Sequence, residues 1–165
     1  MSRRHDSLIP LSHQHQHALA LAVIIRRRFG MTGDPMVWQN QMIERVAKAY
    51  QGELRGHFEV EEEVLFPDME RHLGRLELVA ELFSDHVALR DYVKRLEACP
   101  RVTNAIEVAP VRMMLLDEFS GLLERHVHKE ERELFAEFEK RMPADEARKL
   151  GKEIEVRLAK VCPGL

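Results

Sequence analysis

Hydrophobic residues recur at spacings of three and four along nearly the whole chain of 165 residues. This spacing places them on one face of a helix, and no stretch alternates apolar and polar residues over the length of a strand. Proline and glycine interrupt the pattern at 30–35, 67–74, 100–110 and 143. The pattern therefore predicts an all-α protein with four long helices and a shorter, more polar fifth.

Local signals predict the ends of these helices. Ser12 is a candidate N-cap for the first helix, which we expect to end near Phe29. Asp34 followed by Pro35 is typical of a helix start, and Pro67 is expected to end or kink the second helix. The third helix follows Gly74 and ends before Pro100, residues 101–109 form a loop, and Pro110 and Pro143 begin the fourth and fifth helices.

Four long helices joined by short connections pack most simply as an up-down-up-down bundle. No linker is long enough to separate two domains, and the length suffices for one compact core. We therefore predict a single domain over 1–165, with the bundle core at about 11–140 and an additional C-terminal helix at about 143–160.

Composition excludes several classes of function. Basic and acidic residues are interspersed, with a formal net charge of −3, so nothing indicates nucleic acid or an anionic membrane as a partner. No apolar run approaches 18 residues and the N-terminus lacks the apolar core of a signal peptide, which predicts a cytoplasmic protein.

Cys99 and Cys162 each precede a proline, far apart in sequence, and are expected to be reduced thiols.

One sequence motif occurs twice. Segments 57–66 and 126–135 both read HxxxEExxLF, and their histidines are 69 residues apart. Residues four apart lie on one helix face, so each copy directs an imidazole and a carboxylate the same way. Two such helices facing each other form a cage of nitrogen and oxygen ligands. The pairs are His57 with Glu61 and His126 with Glu130.

Two further histidines complete the pattern. His15 precedes His57 by 42 residues and His86 precedes His126 by 40, and all four interrupt apolar stripes near mid-helix. A single core histidine is usually only hydrogen-bonded, but four at matched positions with two carboxylates indicate metal, because a buried carboxylate needs a partner charge. The predicted ligands are His15, His57, Glu61, His86, His126 and Glu130, with Glu131 as an alternative to Glu130.

Neighbouring side chains are expected to lie outside this site. His13 and His17 are two residues from His15, about 200° around the helix, and should be exposed. Tyr50 lies two turns before His57 on the inward stripe, where it either packs in the core or directs its hydroxyl towards the metals. Terminal, turn or solvated positions are expected for His5, His72 and His128, and charged outer faces for Glu59, Glu62, Glu63 and Glu133.

The ligand types favour iron or manganese. Four imidazoles and two carboxylates without thiolate do not suit structural zinc, which prefers a closed site of four ligands. If both carboxylates bridge two metals, each metal receives two nitrogens and two oxygens. An oxo or hydroxo bridge adds a fifth ligand and leaves one position open to a small molecule. The predicted cofactor is two iron ions with such a bridge, and other divalent metals could substitute for them.

The order His…HxxxE, His…HxxxE on four helices, with each motif continued as ExxLF, resembles the hemerythrin-like HHE cation-binding family over 11–138. The opening Pro10-Leu11-Ser12…His15…Ala18-Leu19 also resembles the first-helix motif of its bacterial members. The resemblance implies a four-helix bundle with a non-haem di-iron centre that binds or senses oxygen, handles nitric oxide, or stores and delivers iron.

Arg90 departs from the family's oxygen carriers, which have a second histidine at this place, four residues after the one on the third helix. The guanidinium stays protonated and cannot bind metal. We expect it either to point inward beside the metals or to lie along the bundle surface. The remaining six ligands resemble the di-iron proteins of iron-centre repair and nitric oxide response more than oxygen carriers.

Three functional hypotheses follow. The first is a binding or sensing protein for O2 or NO, and we favour it over a dedicated enzyme. The second is redox chemistry with an electron donor, including iron-centre repair, or iron storage and delivery. The third is a helical interaction domain without metal.

Overall fold

The structure, a computed structural model, describes residues 4–100 and 108–162. The described residues form helices and turns without any strand, as the hydrophobic pattern predicts. Most of the predicted loop at 101–109 lies outside the described residues. After a short 3-10 turn at Asp6–Leu8, the helices are α1 at Ile9–Arg26, α2 at 35–73, α3 at Glu77–Ala98, α4 at 108–141 and α5 at Ala144–Val161.

The first helix begins earlier than predicted, at Ile9 and not at Ser12. Pro10 occupies its first turn, where a fixed φ suits the helix and the missing N–H costs nothing. It also ends earlier, at Arg26, because Arg28 and Gly30 adopt left-handed backbone with φ of 52° and 75°. The prediction of Phe29 as the last residue was therefore wrong.

The start of α2 is as predicted. The Asp34 carboxylate accepts a hydrogen bond from the N–H of Met36 at 2.8 Å, and Pro35 is the first helical residue. The prediction for Pro67 was wrong, since the helix continues to Leu73 and ends at Gly74 with φ of 83°. Pro67 lies just after a π turn at Glu61–Leu65, a wider helical turn in which one backbone carbonyl has no intrahelical partner. The missing N–H of Pro67 therefore removes no helical hydrogen bond.

Within residues 4–100 and 108–162, three π turns interrupt the long helices. They lie at Tyr50–Leu54 and Glu61–Leu65 in α2 and at Glu130–Leu134 in α4. In each, an N–H bonds the carbonyl five residues earlier, as Phe66 bonds Glu61 and Phe135 bonds Glu130. Such turns insert one residue into a helix and occur frequently at functional sites. Both copies of the repeated motif therefore carry one, starting at the inward glutamate.

The bundle contains two apolar clusters with a polar layer between them. One cluster surrounds Trp38 and Phe119, and the other surrounds Leu65 and Phe138 and includes the buried face of α5. The polar layer lies at the boundary between the clusters and contains His15, His57, Glu61, His86, His126 and Glu130.

The C-terminal helix packs closely on α2 beside this layer. A Cβ atom at Gly56 would lie 2.6 Å from Cys162 Sγ and 2.8 Å from Val161 Cγ2, so only glycine permits the approach. Cys99 and Cys162 are both free thiols, as predicted. Within the described part of the chain, no helix is long and apolar enough to cross a membrane.

Candidate metal centre

Six buried side chains from four helices converge in the polar layer. Each is at most 2% exposed. They form two groups that share both glutamates, and within each group one ligand atom from every residue lies within 4.8 Å of the others. The first group is His15, His57, Glu61 and Glu130, and the second is His86, His126, Glu61 and Glu130.

The histidines in each group face each other through Nε2. The distance between these atoms is 3.0 Å for His15 and His57, and 3.1 Å for His86 and His126. Both separations suit two nitrogens bound to one cation, because metal–nitrogen bonds of about 2.1 Å place neighbouring ligand atoms roughly 3 Å apart.

The two glutamates lie between the histidine pairs. Glu61 directs Oε1 to His57 Nε2 at 3.1 Å and Oε2 to His86 Nε2 at 3.3 Å, one oxygen towards each pair. Glu130 Oε2 lies 3.0 Å from His15 Nε2 and 3.4 Å from His126 Nε2. Among the described residues, none of the four carboxylate oxygens has a partner in hydrogen-bond geometry. Buried carboxylates in this state require a nearby positive charge.

The outer nitrogens of the histidines contact acceptors from neighbouring helices. Nδ1 of His15, His57 and His86 donates to a side-chain oxygen. The acceptors are Glu131 at 2.7 Å, Gln14 at 2.6 Å and Glu62 at 2.8 Å, respectively. His126 Nδ1 lies 3.5 Å from Asp85 Oδ2 and has no hydrogen-bond partner among the described residues. Because Nδ1 carries the proton, a neutral ring has its lone pair on Nε2, pointing into the centre.

This arrangement suits the binding of metal ions. Two Nε2 lone pairs that face each other at about 3 Å repel unless a proton or a cation lies between them. The donor set is four imidazoles and two carboxylates, with no thiolate within either group. Without metal, protons must supply the missing positive charge.

The pKa values of the buried histidines and glutamates reflect this need for positive charge. Burial lowers the pKa of His86, but the nearby carboxylates of Glu61 and Glu62 outweigh it and raise the pKa to about 9. Burial likewise lowers the pKa of His15, yet the nearby carboxylates of Glu130 and Glu131 lift it well above its ordinary value. Burial raises the pKa of Glu61, but the positive charge of His57 and the close approach of His15 and His86 lower it well below its ordinary value.

Glu62 does not lie on a charged outer face, so that prediction was wrong. Its carboxylate accepts from His86 and is also held by Arg90, whose two terminal nitrogens lie 2.8 and 3.0 Å from the two oxygens. Burial raises the pKa of Glu62, but the hydrogen bonds from His86 and Arg90 lower it overall. Glu62 therefore stays ionised and fixes the ring orientation of His86.

The second motif repeats this arrangement. Glu131 accepts from His15 and pairs with Arg4 at 2.5 Å, and Arg4 also bonds Glu139 at 2.8 Å. Against its burial, hydrogen bonds from His15 and Ser12 and the charge of Arg4 lower the pKa of Glu131 to about 2. Glu131 thus contacts the outer nitrogen of a histidine, whereas Glu130 lies in the metal-ligand groups.

Aromatic rings pack beside two of the histidines. Phe58 stacks on His86 with ring centres 4.0 Å apart, and Phe135 stacks on His15 at 5.4 Å. The Arg90 guanidinium lies over the same Phe58 ring at 5.6 Å. These contacts restrict the two imidazoles to one rotamer.

Arg90 and Tyr50 lie outside both ligand groups. Arg90 is half-buried, with 31% of its side chain exposed, and both terminal nitrogens bond Glu62. Tyr50 is half-buried and packs against the cluster around Trp38. It also lies beside the Arg90 guanidinium. Burial lowers the pKa of Arg90, but Glu62 and Tyr50 raise it overall.

The remaining histidines lie away from the centre, as expected. His13 and His17 are exposed, and His17 contacts Glu53 at 3.1 Å. The His128 side chain is 40% exposed. The other two occupy peripheral positions: His5 caps the 3-10 turn and His72 bonds the Asp68 carbonyl.

Sequence reasoning missed Gln14, Glu62, Asp85 and Arg4. A signal for three of them was present in the repeat. Glu62 and Glu131 are the second glutamates of the two motifs, and Gln14 and Asp85 each directly precede an inward histidine. Arg4 had no counterpart in the pattern and could not be found in this way.

Comparisons with known proteins agree with this geometry. The sequence profile of the hemerythrin HHE cation-binding domain matches residues 6–138. No curated protein and no solved structure matches the chain significantly. The profile covers most of the chain and includes all six residues of the two ligand groups. The chain therefore belongs to the hemerythrin HHE cation-binding domain family.

Proposed function

We propose that this chain is a metal-binding protein with a non-haem di-iron centre that binds or senses O2 or NO. One observation carries the proposal. Two pairs of histidines oppose their Nε2 atoms at 3.0 and 3.1 Å and share two buried glutamates whose oxygens lack hydrogen bonds among the described residues. We place this centre in a single domain, 1–165, whose four long helices run up-down-up-down.

In this proposal His15 and His57 hold one iron, His86 and His126 hold the other, and Glu61 and Glu130 are shared. Nitrogen and carboxylate ligands without thiolate suit iron and manganese, and other divalent metals could occupy the same ligands. Bound iron would supply a coordination position for a small molecule and a reversible change of oxidation state.

The residues around the centre favour a small, uncharged ligand. A narrow crevice beside His15, His57 and His126 is lined by the apolar side chains Ala18, Leu54, Phe58, Leu123 and Val127. It has no room for a water-sized molecule in the arrangement seen, so side chains must move to admit a ligand. Its apolar lining favours uncharged diatomic molecules over ions, because an ion would lose its hydration there.

Arg90 and Tyr50 support this site from outside. Arg90 holds Glu62, which in turn holds His86, and Tyr50 contacts Arg90. We propose that both are positioning residues for the metal at His86 and His126.

A second candidate function uses the same centre for redox turnover, iron-centre repair or iron storage and delivery with an electron donor. A metal-free interaction domain is the weakest alternative, because it leaves two buried carboxylates facing four imidazoles without a cation.

The test is the absorption spectrum of anaerobically purified, iron-loaded protein before and after addition of O2 or NO. We expect a new charge-transfer band with at least one of the two gases, reversible when that gas is removed. Catalytic consumption of the gas when an electron donor is added supports the second candidate instead. A spectrum that neither gas alters would contradict the proposal.

A further inference from the structure

A surface groove lies next to the candidate centre, between α1, the π turn at Tyr50–Leu54 and α5. Its volume is about 380 Å³, and its lining includes His13, Gln14, His17, Glu53, Leu158 and Cys162. The groove is separate from the apolar crevice beside the histidines, which is closed in the structure.

Gln14 separates the groove from the crevice. Within the described part of the chain, it is the one residue that lines both spaces. The side chain is only 6% exposed, and its Oε1 accepts from His57 Nδ1 at 2.6 Å. The π turn runs along the same wall, since Glu53 lines the groove and the next residue, Leu54, lines the crevice.

Gln14 also differs in charge from the other three side chains that contact Nδ1 of a candidate ligand histidine. Those three are carboxylates, and each is paired with a cation: Glu131 with Arg4, Glu62 with Arg90, and Asp85 with Lys129 at 3.6 Å. Moving any of them breaks an ion pair. Gln14 is neutral, so moving it breaks its hydrogen bonds to His57 Nδ1 and to the Cys162 thiol but separates no ion pair.

We propose that the groove is the port by which small ligands reach the centre, and that rotation of Gln14 opens it. This inference rests on the proposed function, since it requires a ligand-binding metal at His15 and His57. The carboxylates of Glu53 and Glu155 line the groove, so the port favours a neutral diatomic molecule over an anion.

The experiment measures association and dissociation rates of NO with the iron(II)-loaded protein by stopped-flow absorbance. Ala159→Trp fills the groove from the exposed face of α5 without contact to the candidate ligands. We expect both rates to fall roughly fivefold or more while Kd stays unchanged, because a narrowed passage slows entry and exit alike. Val156→Trp is the matched control, an exposed position on the same helix outside the groove lining, and should leave both rates unchanged.

Gln14→Ala provides the opposite change. Both rates should rise, since the wall is removed. If Ala159→Trp leaves the rates at the wild-type values while NO binds normally, the port lies elsewhere and the inference fails, but the proposed function stands. If the loaded wild-type protein does not bind NO or the protein takes up no iron, the proposed function fails and the inference fails with it.

Discussion

Glu62 accepts a hydrogen bond from His86 Nδ1 at 2.8 Å, across the gap between α2 and α3. Its counterpart Glu131 accepts from His15 at 2.7 Å, across the gap between α4 and α1. The two adjacent glutamates of each HxxxEE motif therefore have different tasks. The first lies in the candidate metal-ligand groups, and the second accepts a hydrogen bond from a histidine of another helix.

Replacing Glu62 tests this division of tasks. Glu62→Gln keeps the shape of the side chain but removes the negative charge that orients His86 and increases its basicity. We expect the affinity for metal to fall roughly 10- to 100-fold, measured by competition with a chelator of known affinity. Glu63→Gln is the control, because Glu63 is exposed and pairs with Arg157 outside the site. Equal affinities for the two variants would show that Glu62 does not support the centre.

Arg90 should act on the metal through Glu62. Arg90→Ala is expected to lower metal affinity less than Glu62→Gln does, because the carboxylate remains. In the Glu62→Gln background the same change should have little further effect, since the partner of the guanidinium has lost its charge. The double-mutant cycle measures this coupling, and additive losses would mean that Arg90 acts independently of Glu62.

The metal-free and metal-loaded proteins should respond to pH in opposite directions. The folded-state pKa of His86 is about 9 against an ordinary value of 6.5, so the stability it contributes without metal is complete below about pH 6.5 and is lost as pH rises through 9. Metal binding requires deprotonated imidazoles and strengthens over the same range. Scanning calorimetry with and without chelator should therefore show a difference in Tm that grows from pH 6.5 to 9. A difference that stays constant over this range contradicts the assignment.

The close contact between α2 and α5 is tested at Gly56. Gly56→Ala brings a methyl group within 2.6 Å of Cys162 Sγ, and we expect the free energy of unfolding to fall by about 1–3 kcal/mol. Gly52 is a matched control one helical turn away, with nothing within 4 Å of an added Cβ. Gly52→Ala should leave stability unchanged or raise it by up to about 1 kcal/mol, since alanine favours helix. Urea denaturation of both variants decides between these outcomes.

The all-α fold could be predicted from sequence because apolar spacing is a strong local signal. The start of α2 was also predictable, because the Asp34 cap depends on neighbouring residues alone. Pro67 was misjudged because the π turn before it, at Glu61–Leu65, is not visible in the hydrophobic pattern.

The convergence of the six inward residues follows from helical periodicity and the repeat. Their outer contacts do not, because each joins residues of different helices. His86 and Glu62 are 24 residues apart, and His15 and Glu131 are 116 apart. Which of the two adjacent glutamates points inward also depends on the π turn at Glu61–Leu65, which the hydrophobic pattern does not reveal. For this reason Glu62 was expected at the surface.

The most direct test of the central claim is anomalous diffraction at the iron edge from crystals of iron-loaded protein. We predict two peaks per chain, one about 2.1 Å from Nε2 of both His15 and His57 and one about 2.1 Å from Nε2 of both His86 and His126, with Glu61 and Glu130 reaching both. A single peak, or no peak between the histidine pairs, would contradict a di-iron centre.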